Sequence, residues 1–163
     1  MKPDLVIGGN PMNRLHTILI ADDDDGHAFL VEDNLRRGGV HTNFLRFNDG
    51  QETLDFLFGR TTDSAFAPEL AYLLLLDIRM PKVDGVAVLT QIKTHPSLHK
   101  LPVIMLTTTD DPREVDRCHD LGCNVYMQKP VSYEAFANAM TQLGTLISLA
   151  KIPRVKPGPE LHL

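Results

Sequence analysis

The sequence predicts an α/β fold: a doubly wound, five-stranded parallel sheet with helices on both faces. Three observations predict it. Short apolar runs recur five times along the 163 residues, each followed by a longer stretch whose apolar residues have helical spacing. One run, Tyr72-Leu73-Leu74-Leu75-Leu76, is apolar at every position, the pattern of a strand buried on both faces. Strand and helix in strict alternation favour parallel βαβ units with right-handed crossovers.

The elements follow in order. The predicted strands are Thr17 to Ala21, Asn43 to Phe47, Tyr72 to Leu76, Val103 to Thr107 and Val125 to Gln128. The first helix covers Ala28 to Arg37 and stops at Gly38-Gly39. The second runs from Gly50 to Phe58, with Asn48-Asp49 in place to cap it. Val86, Leu89 and Ile92 share one face of the third helix, which Pro96 ends. In the fourth, Asp111 is the cap, Pro112 takes the first position and Gly122 closes the helix. Ser132 can cap the fifth, where Phe136, Met140, Leu143, Ile147 and Ala150 form one continuous apolar stripe. That stripe is expected to pack on the sheet, although a dimer seam has the same pattern. The natural strand order is flavodoxin-like, 2-1-3-4-5, because it sets the ends of the first and third strands side by side.

One domain is expected over residues 16–150, between an N-terminal arm (1–15) and an extended C-terminal tail (151–163) carrying Pro153, Pro157, Gly158 and Pro159. Gly59 to Leu70 reads as a long polar loop. A length of 163 residues suits one core and leaves little for a second. The net charge of −5 argues against a general nucleic-acid surface. No apolar stretch is long enough to span a bilayer, and Met1 to Asn10 lacks the apolar region of a secretory signal. Cys118 and Cys123, the only cysteines, have no metal-ligand or disulfide spacing, so a cytoplasmic location with reduced thiols is expected.

The chemistry is concentrated where strands end. Asp77 closes the most apolar run and is followed by Ile78-Arg79-Met80-Pro81-Lys82-Val83-Asp84-Gly85. Asp22 and Asp23 close the first strand. Two neighbouring strands ending in carboxylates make one oxygen-rich site for a hard cation. Asp24 and Asp25 continue the acidic run but are better explained as caps of the next helix. Other constellations fail. Pro96 breaks the helix that would align His95 with His99, Gly8-Gly9 lacks the lysine of a phosphate loop, and there is no Ser-His-Asp elbow.

Four segments together resemble the response-regulator receiver domain of two-component signalling. They are Ile18-Leu19-Ile20-Ala21-Asp22-Asp23, Asp77 to Gly85, Leu101-Pro102-Val103-Ile104-Met105-Leu106-Thr107 and Tyr126-Met127-Gln128-Lys129-Pro130, spread over about residues 16 to 147. The loop before the third strand and the lack of an output domain further resemble small stand-alone regulators that partner phytochrome-type histidine kinases.

The resemblance implies a role for each residue. Asp77 would accept a phosphoryl group from a phosphohistidine of a sensor histidine kinase. Asp22, Asp23, one Asp77 oxygen and the backbone carbonyl of Arg79 would hold Mg²⁺. Lys129 and Thr107 would contact the phosphoryl oxygens, with Thr108 beside them where a small residue is usual. Tyr126 would change rotamer as Thr107 moves, and Pro130 would follow a cis peptide that aims Lys129 inward. Arg79 departs from the commonest family pattern and makes the phosphoryl lifetime an open quantity. No nucleic-acid or membrane partner is expected, and a homodimer through the last helix is.

Two rival readings have sequence tests. A Mg²⁺-dependent aspartyl phosphohydrolase wants a carboxylate acid/base two residues past the nucleophile, and that place holds Arg79. A receiver-like scaffold that never becomes phosphorylated has no need of Asp22, Asp23, Asp77, Thr107 and Lys129 together.

Overall fold

The structure, a computed structural model, describes residues 15–61, 66–67 and 70–155. The N-terminal arm up to residue 14, residues 62–65 and 68–69 of the loop between the second helix and third strand, and the tail from residue 156 lie outside the described residues.

Ten elements alternate: β1 (Leu15–Ala21), α1 (Asp25–Arg37), β2 (Asn43–Phe47), α2 (Gly50–Leu57), β3 (Ala71–Leu76), α3 (Gly85–Thr94), β4 (Val103–Thr107), α4 (Pro112–Leu121), β5 (Val125–Gln128) and α5 (Tyr133–Leu149). All paired strands are parallel and the order is β2-β1-β3-β4-β5, as the sequence predicts. The central strands β3 and β4 are buried at every position.

Side-chain alternation divides the core into two layers. Leu19, Ala21, Tyr72, Leu74, Leu76, Val103 and Met105 face α2, α3 and α4. Ile18, Ile20, Leu73, Leu75, Ile104 and Leu106 face α1 and α5. The α5 stripe of Phe136, Met140, Leu143 and Ile147 is buried in that second layer, whereas Ala150 is exposed. The stripe therefore serves the core.

Local chemistry sets each helix start. Asp24, Asp49, Asp84, Asp111 and Ser132 are the N-caps, each accepting a hydrogen bond from a backbone N–H of the first turn. At α1 the cap is Asp24 alone, and Asp25 is the first helical residue. Glu52 reaches back to the backbone N–H of Asn48 at 2.8 Å, completing a capping arrangement at α2. Helix α3 ends at His95, extended at φ −82°, ψ 131° as a residue before proline prefers.

Two findings revise the sequence reading. No peptide bond among the described residues is cis, so the Lys129–Pro130 bond is trans. Proline lowers the cost of cis without imposing it, and Lys129 turns inward from a trans peptide. Residues 150–155, the described part of the chain after α5, form no regular element, yet Ile152 and Val155 are buried. The chain leaves the helix and packs back onto the domain.

Candidate functional site

Strand register brings the carboxylates together. Ala21 of β1 is paired with Leu76 of β3, so Asp22 and Asp77 each follow the last residue of adjacent strands. The backbone N–H of Asp77 donates to the Ala21 carbonyl at 2.9 Å, and that of Asp22 to the Phe47 carbonyl at 3.1 Å. Both chains are thus held by sheet-like hydrogen bonds up to the acidic residues. Carboxylate oxygens of Asp22, Asp23 and Asp77 lie within 4.8 Å of one another. Asp22 is buried, Asp77 half-buried and Asp23 exposed, so the cluster opens to solvent on one side.

The loop after β3 is fixed by a close approach. A Cβ on Gly85 would fall 2.1 Å from the Asp77 carbonyl oxygen, and the Gly85 N–H donates to the Ile78 carbonyl at 2.7 Å. Only glycine lets the start of α3 come that near to Asp77. Within the same loop Lys82 has φ of 66°, a left-handed conformation, and its Nζ lies 3.4 Å from Asp49 Oδ2.

From the other side, Thr107 is paired with Gln128, and the Lys129 N–H donates to the Thr107 carbonyl at 2.6 Å. The Lys129 ammonium reaches Asp22 Oδ2 at 2.7 Å and Asp77 Oδ2 at 3.3 Å while the side chain is buried. This contact joins residues 107 positions apart. The Thr107 hydroxyl is the only buried side-chain polar atom among the described residues without a hydrogen-bond partner. Buried hydroxyls are nearly always paired, so this one keeps its hydrogen bond unspent at the end of β4.

Burial raises the Asp77 carboxyl above its ordinary value; Lys129 opposes this and Asp22 adds to it. Three carboxylates share a single ammonium at this site. A divalent cation beside three acceptor-only carboxylates relieves that imbalance, and the donor set of oxygens suits a hard ion.

The other sequence-predicted residues sit nearby in different roles. Thr108 is exposed at the mouth of a cavity that Lys129, Pro130 and Tyr133 also line. Tyr126 is partly buried, and its single hydroxyl proton is shared between the Thr109 carbonyl at 3.0 Å and Glu114 Oε1 at 3.3 Å. Burial, reinforced by Glu114, raises its phenol above the ordinary value. Arg79 is exposed and forms no ion pair among the described residues.

Sequence reasoning missed three contributors. Arg46 of β2 donates to the Asp22 carbonyl at 3.2 Å and pairs with Asp25, bracing the acidic loop from the sheet edge. Glu114 anchors Tyr126. His27 touches Lys129. None belongs to a motif; each becomes visible only when the order of the strands is known.

Comparison with known proteins agrees with this geometry. The family model of the response regulator receiver domain matches residues 18–141. A crystal structure of a response regulator receiver domain from Rhodospirillum rubrum superposes with a TM-score of 0.78 at 42% identity, covering 86% of this chain and 99% of that one. Response regulator Rcp1 of Synechocystis is 31% identical over 113 residues, 69% of this chain and 75% of Rcp1. The Mn²⁺-bound form of Rcp1 superposes with a TM-score of 0.76 at 26% identity, covering 85% of this chain and 99% of that one. The phosphorylated cyanobacterial phytochrome response regulator RcpA gives 0.75 at 25% identity, covering 86% and 99%. The chain belongs to the response regulator receiver domains, the phosphoacceptor signalling modules of two-component systems.

Proposed function

We propose that Asp77 is the phosphoacceptor of this receiver domain, and that the phosphoryl donor is the phosphohistidine of a sensor histidine kinase of phytochrome type. The observation that carries the reading is the meeting of three carboxylates and the Lys129 ammonium at one sheet edge. The names of RcpA and Rcp1 support the choice of kinase and of a divalent cation.

In this mechanism an Asp77 carboxylate oxygen attacks phosphorus in line. The O–P bond forms as the P–N bond to the donor imidazole breaks, and that nitrogen leaves with the bonding pair. Lys129 neutralises one phosphoryl oxygen as a point charge. The Thr107 hydroxyl donates its unspent hydrogen bond to another. Asp22, Asp23, an Asp77 oxygen and the Arg79 carbonyl are the groups that would hold Mg²⁺. When bound, magnesium offsets the repulsion among the carboxylates and the phosphoryl oxygens.

Movement of Thr107 toward the phosphoryl group changes the space beside Tyr126, whose hydroxyl is tied to α4 by Glu114. The signal then passes to the α4–β5–α5 surface, where two copies of the chain associate.

The test is intact mass after incubation with acetyl phosphate and Mg²⁺. Wild type gains one phosphoryl group, the gain disappears with EDTA, and Asp77→Asn gains none. An equal adduct on Asp77→Asn moves the phosphoacceptor elsewhere.

A further inference from the structure

His27 lies in the first turn of α1, outside the residues given roles above. Its ring stands 6.0 Å from that of Phe136 on α5, tilted by 33°, and its Nδ1 faces the site. That nitrogen is 3.4 Å from Lys129 Nζ and 3.9 Å from Asp24 Oδ2. Asp24 is exposed and already spends its other oxygen on the His27 backbone N–H, at 3.0 Å.

The ammonium of Lys129 has three N–H donors and no acceptor. In a buried site each donor needs a partner. Asp22 Oδ2 takes one and Asp77 Oδ2 a second. The third hydrogen-bond partner that Lys129 Nζ has among the described residues is His27 Nδ1. A neutral imidazole with its proton on Nε2 accepts there without adding charge. A carboxylate in its place would compete with the phosphoryl group for the ammonium, and an apolar group would leave one donor unpaired.

We propose that His27 is a positioning residue for phosphoryl transfer: Nδ1 accepts the third Lys129 proton and holds the ammonium facing Asp77. This rests on the reading of Lys129 as the phosphoryl-contacting cation. Phe136 supplies the wall that fixes the ring, so three elements (α1, α5 and the end of β5) set the position of one charge.

The test uses the ¹⁵N-labelled full chain and two variants. In wild type the Lys129 Nζ–H correlation is expected to be visible through slow exchange, and is identified by its loss in Lys129→Arg. His27→Leu removes the acceptor and keeps the bulk. It is expected to lose the correlation and to form the acetyl-phosphate adduct about tenfold more slowly, the size of one hydrogen bond to a charged group. His27→Asn places an amide oxygen near the Nδ1 position and is expected to restore both. The proposal is overturned if the wild-type spectrum lacks the correlation, if His27→Leu keeps the correlation and the rate, or if His27→Asn is slowed as much as His27→Leu. Wild type forming no Asp77-dependent adduct would remove the phosphoacceptor reading instead, and the Nζ correlation would still judge the His27–Lys129 contact.

Discussion

Asp77 stands between a closely packed layer, α1 against α5, and a lightly anchored one, α4 with β5. Helix α1 buries Ala28, Val31, Asn34 and Leu35, and α5 buries Phe136, Met140, Leu143, Gly144 and Ile147. Their backbones nearly touch: a Cβ on Gly38 would fall 2.2 Å from the Thr141 carbonyl oxygen, and one on Gly144 2.6 Å from that of Leu35. Helix α4 buries only Cys118, and no residue of β5 is fully buried. A phosphorylation switch needs both kinds of construction. The carboxylates must be fixed, and β1 and β3 fix them. The readout must move, and the α4–β5 edge has the least burial to lose. Thr107 lies at the boundary, its backbone in the buried strand β4 and its hydroxyl unpaired.

The largest expected effect breaks the packed side. Gly38 has an ordinary φ of −75°, so its requirement is space and not conformation. Gly38→Ala drives a methyl into backbone that cannot yield like a side chain, and is expected to cost about 2–3 kcal/mol. Urea unfolding measures it. A loss under about 0.5 kcal/mol, the range of ordinary surface substitutions, removes the claim that the α1–α5 seam is rigid.

Native-state hydrogen exchange compares the two sides directly. Amides of α4 and β5 are expected to open with a free energy about 2 kcal/mol below those of α1 and α5, within the span between local and global opening. Equal protection would mean that α4 is held by something other than burial. Phosphorylated protein sharpens the same experiment: the difference is expected to change at α4 and β5 and to stay constant at α1.

A smaller effect depends on pH. The folded Asp77 carboxyl is raised above its ordinary 3.8, chiefly by burial. A raised pKa means that the folded state binds the proton more tightly than the unfolded chain. The associated stability is fully present below about pH 3.8 and is lost as pH rises through the folded value. Asp77→Asn removes the charge that is costly at neutral pH. In metal-free buffer it is expected to melt above wild type at pH 7, with the gap closing toward pH 4. A gap that is constant with pH would assign the gain to packing and not to ionisation.

What was legible in the sequence follows from the physics of each signal. Strands buried on both faces are read from unbroken apolar runs, so Asp22, Asp23, Asp77 and Thr107 could be placed at strand ends, and the order 2-1-3-4-5 brought them together. Caps carry their own chemistry, which is why Asp49, Asp111 and Ser132 were readable. His27, Arg46 and Glu114 were not, because a polar residue on a helix or edge strand looks solvated until its partner is known. Ile152 and Val155 are single apolar residues among Lys151, Pro153 and Arg154, with no period to reveal their burial. The trans bond before Pro130 depends on tertiary context that no local pattern contains.

The smallest expected effect on the fold concerns the outer face of α5, and it asks whether the lightly built edge is completed by a second chain. The buried stripe of this helix is spent on the sheet, but Leu146 and Leu149 remain 63% and 79% exposed. Leu146 borders an apolar cavity of about 450 Å³ that Val125 of β5, Leu143, Ile147 and Ile152 also line. In a two-fold dimer the same patch serves both chains, so the exposed leucines of one face the β5 side of the other. Such an arrangement would cover the strand edge that has least burial of its own, on the face of β5 that carries Val125 and Met127. Light scattering at micromolar concentration is expected to give the mass of two chains for wild type and of one for Leu146→Glu, with monomer stability changed by no more than about 0.5 kcal/mol because the position is exposed. A single-chain mass for wild type, with and without a phosphoryl mimic, rules the dimer out. A dimer that survives both Leu146→Glu and Leu149→Glu moves the interface off α5, and the edge strand must then be protected by its own shortness.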